Sequence, residues 1–379
     1  MLRNWRLSSP LRVEVAMSLP SHLSNKISGH TRYLRVPGDF TLECGATLPD
    51  IEIAYQTWGD SANADGNTIL ICHALTGSAD VEAWWPNIIG AGRAFDPAHD
   101  YIICSNILGS CYGTTGPASL KPGRKERYRA DFPGISIRDM VELQRTLLDQ
   151  LGIEKVELVT GPSLGGMQAL EWALAYPERI GSVVPIGVGG RHSAWCIGVS
   201  EAQRAAIAAD PDWNDGYYSD DAPPKKGLAA ARMMAVCTYR SWESFNERFG
   251  REQRDDGRFQ AQSYLQYQGE KFIDRFDANT YVTLTHAMHS HDLARNRGAY
   301  KDVLATICQP ALVVSVSSDA LYPPQEQQEL ANSLPNASYE VLSSAHGHDG
   351  FLIETETLGS MIGEFRKRNR ERLALRVAS

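Results

Sequence analysis

The sequence predicts an α/β fold: a mostly parallel central sheet into which an all-helical segment is inserted. Three observations carry this. Short apolar runs recur along the chain, "TILICH" (68–73), "YIICSN" (101–106), "VELVTG" (156–161) and "SVVPIGV" (182–188), and resume far downstream with "ALVVSVSS" (311–318) and "SYEVLSS" (338–344). Runs so continuously apolar suit strands buried on both faces, the habit of parallel sheets with helical crossovers. Helical patterns fill most of the gaps. The interval 190–305 breaks the rhythm, with several helical patterns and no convincing sheet strand.

Taken in order, residues 1–34 read as a flexible N-terminal arm. They carry arginines but no apolar h-region, so they do not read as a secretory signal, and Met17 offers an alternative start. Residues 40–58, "FTLECGATLPDIEIAYQTWG", read as two strands around a turn, since Thr, Ile and Tyr are strand formers. A helix over 136–152 opens with "SIRDM", Ser136 capping and Asp139 in the first turn, and stops at "LG". The insertion comprises patterns such as "KKGLAAARMMAVCTYR" and "NTYVTLTHAMHSHDLAR", separated by polar punctuation. The α/β domain is thus expected at 35–189 and 306–379, and the helical domain at 190–305. A chain of 379 residues, 43% hydrophobic, has material for both.

Composition excludes some functions. A net charge of −8 argues against nucleic acid or an anionic membrane as the main partner. No apolar run reaches the roughly 18–20 residues that span a bilayer. The seven cysteines are scattered and never paired as C-x-x-C. Five of them (Cys72, Cys104, Cys196, Cys237, Cys308) sit in apolar or strand-like surroundings, which suggests buried free thiols in a reducing cytoplasm.

The strand at 156–160 leads into Gly161-Pro162-Ser163-Leu164-Gly165 and then into the helix former "MQALEWALAYPERIG". G-x-S-x-G alone is weak, with about 0.2 matches expected by chance at this composition. Strand, turn and helix together make it a nucleophile elbow, whose strained turn tolerates only tiny neighbours two residues from the serine. A serine hydroxyl needs a base, itself oriented by a carboxylate. In this kind of fold the order is serine, acid, histidine. Asp319 follows "ALVVSVSS" at the carboxyl end of a strand, where the sites of open α/β sheets gather. The next strand ends in "AHGHDGF", where His346 and His348 compete and spacing cannot separate them. For the oxyanion, Leu164 supplies one backbone N–H. Leu75 or its neighbour in "ICHALTGS" (71–78) supplies the other. His73 precedes the serine and is assigned a structural role.

With "HALTG", "NILGSCYGTTGP", "GPSLGGMQALEWA", "ARMMAVCTYRS" and "GHDGFL" in this order, the chain resembles the homoserine O-acetyltransferase family of α/β-hydrolase-fold acyltransferases. The resemblance spans roughly residues 35–368. It implies an α/β-hydrolase fold, a Ser163–His348–Asp319 triad, an acyl-enzyme, acyl-CoA as donor, and a homodimer joined through the helical lid. Substrate contacts fall on Arg232, Tyr239 and Asp349. Arg232 suits an amino-acid carboxylate through two parallel hydrogen bonds, and Asp349 suits its α-ammonium. Arg232 and Tyr239 are seven apart, on one helical face.

There are departures from the family pattern. The elbow is Pro-Ser-Leu where the family more often has Gly-Ser-Met. "THAMHSHD" brings His286, His289 and His291 close in sequence, where a helix-end polar cluster is expected rather than a metal site. "CYGTTGP" and "TYRS" look like the acetyl and homoserine variants, against O-succinyltransferase relatives acting on homoserine or serine. A plain esterase or thioesterase is the other competitor. The expectation is therefore acetyl transfer from acetyl-CoA to the side-chain hydroxyl of L-homoserine, in methionine biosynthesis, with no further cofactor. The basic loop "KPGRKERYR" (121–129) reads first as a solvated surface and second as an attraction for CoA phosphates.

Overall fold

The computed structural model describes residues 19–378; residues 1–18 of the expected arm, with Met17, lie outside them. Eight strands form one sheet: β1 (Arg32–Thr41), β2 (Thr47–Trp58), β3 (Thr68–Ile71), β4 (Tyr101–Ser105), β5 (Val156–Pro162), β6 (Ile180–Ile186), β7 (Ala311–Val316) and β8 (Ala337–Leu342). Their spatial order is β1-β2-β4-β3-β5-β6-β7-β8. β1 and β2 pair antiparallel, as do β2 and β4, and every other pairing is parallel. Alternate residues of the inner strands feed two separate cores. Leu70, Val159 and Val313 pack on one face, Ile69, Leu158 and Leu312 on the other. That period of two, with both faces covered, is why these segments read as unbroken apolar runs.

Helix α1 (Ile137–Gln150) carries the expected cap: Ser136 Oγ accepts from the Asp139 amide while Asp139 Oδ2 accepts from the Ser136 amide. Helix α2 (Leu164–Ala175) follows β5 directly. Between β6 and β7 the described chain is helical: α3 (Ala194–Ala208), α4 (Lys225–Tyr239), α5 (Trp242–Phe249), α6 (Gln260–Ile273) and α7 (Ala278–His289). These helices join the α/β core through Leu228, Phe272 and Tyr281, all buried in the cluster that also holds Leu70. Helices α8 (Pro324–Ser333) and α9 (Thr355–Ala378) complete the chain. Among the described residues no helix is long and apolar enough to cross a membrane.

Four expectations need correction. The first strand starts at Arg32, not near residue 40. "RVPGDF" looks like a strand breaker, but a register shift between Val36 and Asp39 absorbs Pro37 and Gly38 as an irregularity in the ladder. The arm is not loose throughout 1–34, because Leu19 and Leu23 are buried in the main core. β8 is an edge strand with mostly half-exposed residues, so it is not covered on both faces. Finally, all seven cysteines are free, but Cys237 and Cys308 are exposed, while Cys111 is buried. An apolar sequence neighbourhood does not say which way a residue points from a helix.

Candidate active site

The chain turns at Ser163 with φ 56° and ψ −122°, a left-handed conformation that a side-chain-bearing residue rarely adopts. The turn is compressed against the end of β3. A Cβ on Gly161 would lie 2.2 Å from the Cys72 carbonyl oxygen, and one on Gly165 only 2.0 Å from it. Gly166 is closed in by Val188, with 2.5 Å to its Cγ1. The glycines are thus demanded by the approach of another strand's backbone. Ser163 itself is held by its amide, which donates to the Ile186 carbonyl at 2.8 Å. Leu164 is the first residue of α2, so its N–H has no acceptor within the helix, and among the described residues it donates to no other group.

Asp319 lies three residues beyond β7. Its Oδ1 accepts from the Leu321 and Tyr322 amides, both at 2.9 Å, and its Oδ2 lies 2.6 Å from His348 Nδ1. A carboxylate accepts, so Nδ1 carries the proton and Nε2 offers its lone pair. Among the described residues that Nε2 is buried and has no hydrogen-bond partner. The imidazole is packed between the rings of Tyr322, Tyr239 and Phe351, 5.2, 5.9 and 5.1 Å away. His346 faces elsewhere, its Nδ1 3.3 Å from Ser244 Oγ. Gly347, at φ 66°, makes the divergence possible: a Cβ there would meet the Arg240 and Ser241 backbone at 2.7 Å. Loop path, not spacing, separates the two histidines.

A cavity of about 410 Å³ brings together Leu75, Ser163, Arg232, Tyr239, His348 and Asp349. Leu164 and Asp319 stand behind this lining. The Arg232 guanidinium sits 5.6 Å from the Tyr239 ring and 5.1 Å from the Phe272 ring. Asp349 is paired with Arg240, whose Nε is 3.1 Å from Oδ2. Burial pushes the Asp349 carboxyl above the usual carboxylate range, against the pull of Arg240 and Arg232. The lining also holds Lys26, Ala83, Trp84, Tyr112 and Arg275, none of which the sequence singles out as a site residue. Arg275 Nη1 donates to the Thr76 carbonyl at 3.0 Å and to Tyr112 Oη at 2.9 Å, joining the lid to the loop after β3. Tyr112 stands within "NILGSCYGTTGP" and Arg240 within "ARMMAVCTYRS", motifs that do not by themselves single either residue out; nothing in the sequence marks Arg275.

The other candidates lie outside the cavity. His291 Nε2 meets the Gly189 carbonyl at 2.8 Å, and His289 Nε2 lies 3.4 Å from Arg204. Among the described residues no group of three or more His, Cys, Asp or Glu side chains could hold a metal ion. The basic loop 121–129 contributes nothing to the cavity lining, and its Lys121 and Arg127 pair with Asp131 and Asp220.

Burial lowers the pKa of His73 and His291 to about 4 and of His192 to about 3. Each stays neutral in the fold but takes up a proton near pH 6.5 once unfolded. Their contribution is complete above pH 6.5 and is lost as pH falls toward 4, at about 1.4 kcal/mol per pH unit for each. The raised carboxyls of Asp139, Glu326 and Asp349 oppose this slope. Urea midpoints measured at pH 7.5, 6 and 5 should fall steadily; a midpoint unchanged down to pH 5 would contradict the neutral, buried histidines.

Residues 67–355 match the family model described as the alpha/beta hydrolase fold. The chain is 54% identical over 341 residues to the homoserine O-acetyltransferase of Chlorobaculum tepidum, covering 90% of this chain and 96% of that relative. It is 56% identical over 345 residues to the homoserine O-acetyltransferase of Nostoc punctiforme, with 89% and 97% covered. Among solved structures it is similar to esterase E22, with a TM-score of 0.82 and 27% identity over 89% of this chain and 99% of that one.

Proposed function

Since the chain belongs to the homoserine O-acetyltransferase family of the α/β hydrolase fold, we infer that it transfers an acetyl group from acetyl-CoA to the side-chain hydroxyl of L-homoserine. The observation that carries this reading at the site is one cavity holding Ser163, His348, Arg232 and Asp349 together. The first pair suits acyl transfer, the second an amino acid.

The reaction runs as a double displacement. His348 Nε2 takes the Ser163 proton as Oγ attacks the thioester carbonyl, and Asp319 stabilises the imidazolium that forms. The Leu75 and Leu164 amides receive the developing oxyanion. The tetrahedral intermediate collapses, the C–S bond breaks, and the CoA thiolate leaves with the proton from His348. Homoserine then enters. Arg232 holds its carboxylate, and Asp349, already neutralised in part by Arg240, receives the ammonium. His348 removes the hydroxyl proton, the oxygen attacks the acetyl-serine, and Ser163 recovers its proton as the ester leaves. The insertion, through Arg232 and Tyr239 of α4 and Arg275 just after α6, walls the site against water, favouring transfer over hydrolysis.

The test is CoA release from acetyl-CoA or succinyl-CoA with homoserine, serine or water as acceptor. Release should depend on homoserine and favour acetyl-CoA. Equal release with water would make the protein an esterase or thioesterase, a chemistry the same triad permits. Arg232→Ala should raise the KM for homoserine about 30- to 100-fold, as expected for losing a charge-assisted pair. The single-turnover acetylation of Ser163 should change little, and an unchanged KM would remove Arg232 from the acceptor site.

Two broader expectations belong to the same reading. Exposed Trp195, Met234, Trp242 and Tyr267 on α3, α4, α5 and α6 support a homodimer joined through the lid. The seven free thiols support a reducing, cytoplasmic setting.

A further inference from the structure

The buried histidine after β3 makes two hydrogen bonds whose directions are fixed by chemistry. His73 Nδ1 lies 2.8 Å from the Ala74 carbonyl oxygen, and a carbonyl only accepts, so Nδ1 carries the proton. His73 Nε2 lies 3.2 Å from the Ile107 amide, an N–H that only donates, so Nε2 carries the lone pair. One neutral tautomer satisfies both. A second proton on Nε2 would set two donors against each other, in addition to the cost of burying a charge.

The Ala74 carbonyl receives a second donor, the Gly77 amide at 2.9 Å. The Ala74–Leu75 peptide is trans, so its N–H points opposite to that doubly held carbonyl. That N–H is the Leu75 amide. Among the described residues it donates to no protein acceptor, and Ala74, Leu75 and Gly77 line the cavity with Ser163. Just upstream, the Cys72 carbonyl is wedged against Gly161 and Gly165 of the elbow. The peptide that offers its N–H to the cavity is therefore clamped from behind.

We propose that His73 is a positioning residue for the oxyanion hole: its Nδ1–H fixes the plane of the Ala74–Leu75 peptide so that the Leu75 N–H stays aimed at the reacting carbonyl. Ile107, in the loop after β4, fixes the imidazole in turn. Donation to the peptide oxygen also polarises the N–H at the other end of the same peptide, strengthening it as a donor. This rests on the oxyanion role given above to Leu75.

Two variants separate the imidazole's two hydrogen bonds. His73→Asn places an amide N–H where Nδ1–H was and gives up the acceptor for Ile107. His73→Gln carries its amide to the ε position, keeps an acceptor for Ile107, and leaves the Ala74 carbonyl to Gly77 alone. His73→Gln should lower the rates of both CoA release and acetyl transfer about 10- to 100-fold, below the full loss of an oxyanion donor, with KM values within about twofold. His73→Asn should recover most of that loss, even if it melts at a lower temperature. Equal rates in the two variants, or losses that vanish once rates are normalised to the folded fraction, would overturn the proposal. Ser163→Ala, run in parallel, keeps the two ideas apart. An active Ser163→Ala sinks the reading of the whole site, whereas an inactive one beside a fully active His73→Gln sinks the positioning role alone.

Discussion

Ser163→Ala is expected to lower kcat for acetyl transfer by about 10⁴- to 10⁶-fold, the scale seen when a triad nucleophile is removed. In the proposed double displacement both half-reactions pass through Oγ, so CoA release and homoserine acetylation should fall together. The fold should hardly notice. Alanine keeps the Cβ that already tolerates φ 56°, and the bond that seats the turn runs from the Ser163 amide to the Ile186 carbonyl, not from the hydroxyl. A melting temperature close to that of the parent protein would make the loss chemical. CoA release above about 1% of the parental rate would mean that the acyl group is carried elsewhere, because the residual catalysis left by removal of a triad member lies far below that.

Gly165→Ala is expected to be among the most damaging single-methyl changes at the described residues. The added Cβ would stand 2.0 Å from the Cys72 carbonyl oxygen and 2.8 Å from its carbon. Neither obstacle is a flexible side chain. Cys72 continues β3, a central strand hydrogen-bonded to β4 on one side and β5 on the other, so it yields only if the sheet yields. Overpacking against backbone places the cost at about 3–5 kcal/mol or beyond, the tail of single-mutant effects. Gly363→Ala in α9 is the control, since nothing lies within 4 Å of its would-be Cβ. It should be neutral or stabilise by a few tenths to about 1 kcal/mol, the usual gain of alanine over glycine in a helix. Denaturant midpoints for the two variants should therefore move in opposite directions. A Gly165→Ala midpoint equal to that of the parent protein would show that the elbow is not pressed onto β3 as described.

The two variants also mark where sequence reasoning was strong. The elbow was legible because its constraints are local: strand, glycine-framed serine and helix are contiguous, and each has its own period or propensity. Asp319 was legible because it follows a strand whose period and apolarity stand out. The choice between His346 and His348 was of another kind. They are two residues apart in an irregular loop, and direction there is set by Gly347 pressing on the end of α4, more than a hundred residues earlier. Resemblance to relatives had favoured His348, but the residues alone had not.

The same division runs through the molecule. The amino-acid sequence by itself determined the α/β class, the helical interruption between β6 and β7, the elbow and the chain order of its partners, since periodicity, capping and turn chemistry act within some ten residues. Only the tertiary structure decided that Arg240 shares the Asp349 carboxylate, that Arg275 ties the lid to the loop after β3, that Pro37 and Gly38 sit inside a strand, and that His73 backs the Leu75 peptide. Arg275 and Thr76 are 199 positions apart, and their meeting depends on how the segment after α6 packs against the loop after β3. Hydrophobic pattern fixes which face of an element turns inward; it carries no information about which charged group will stand opposite once it does.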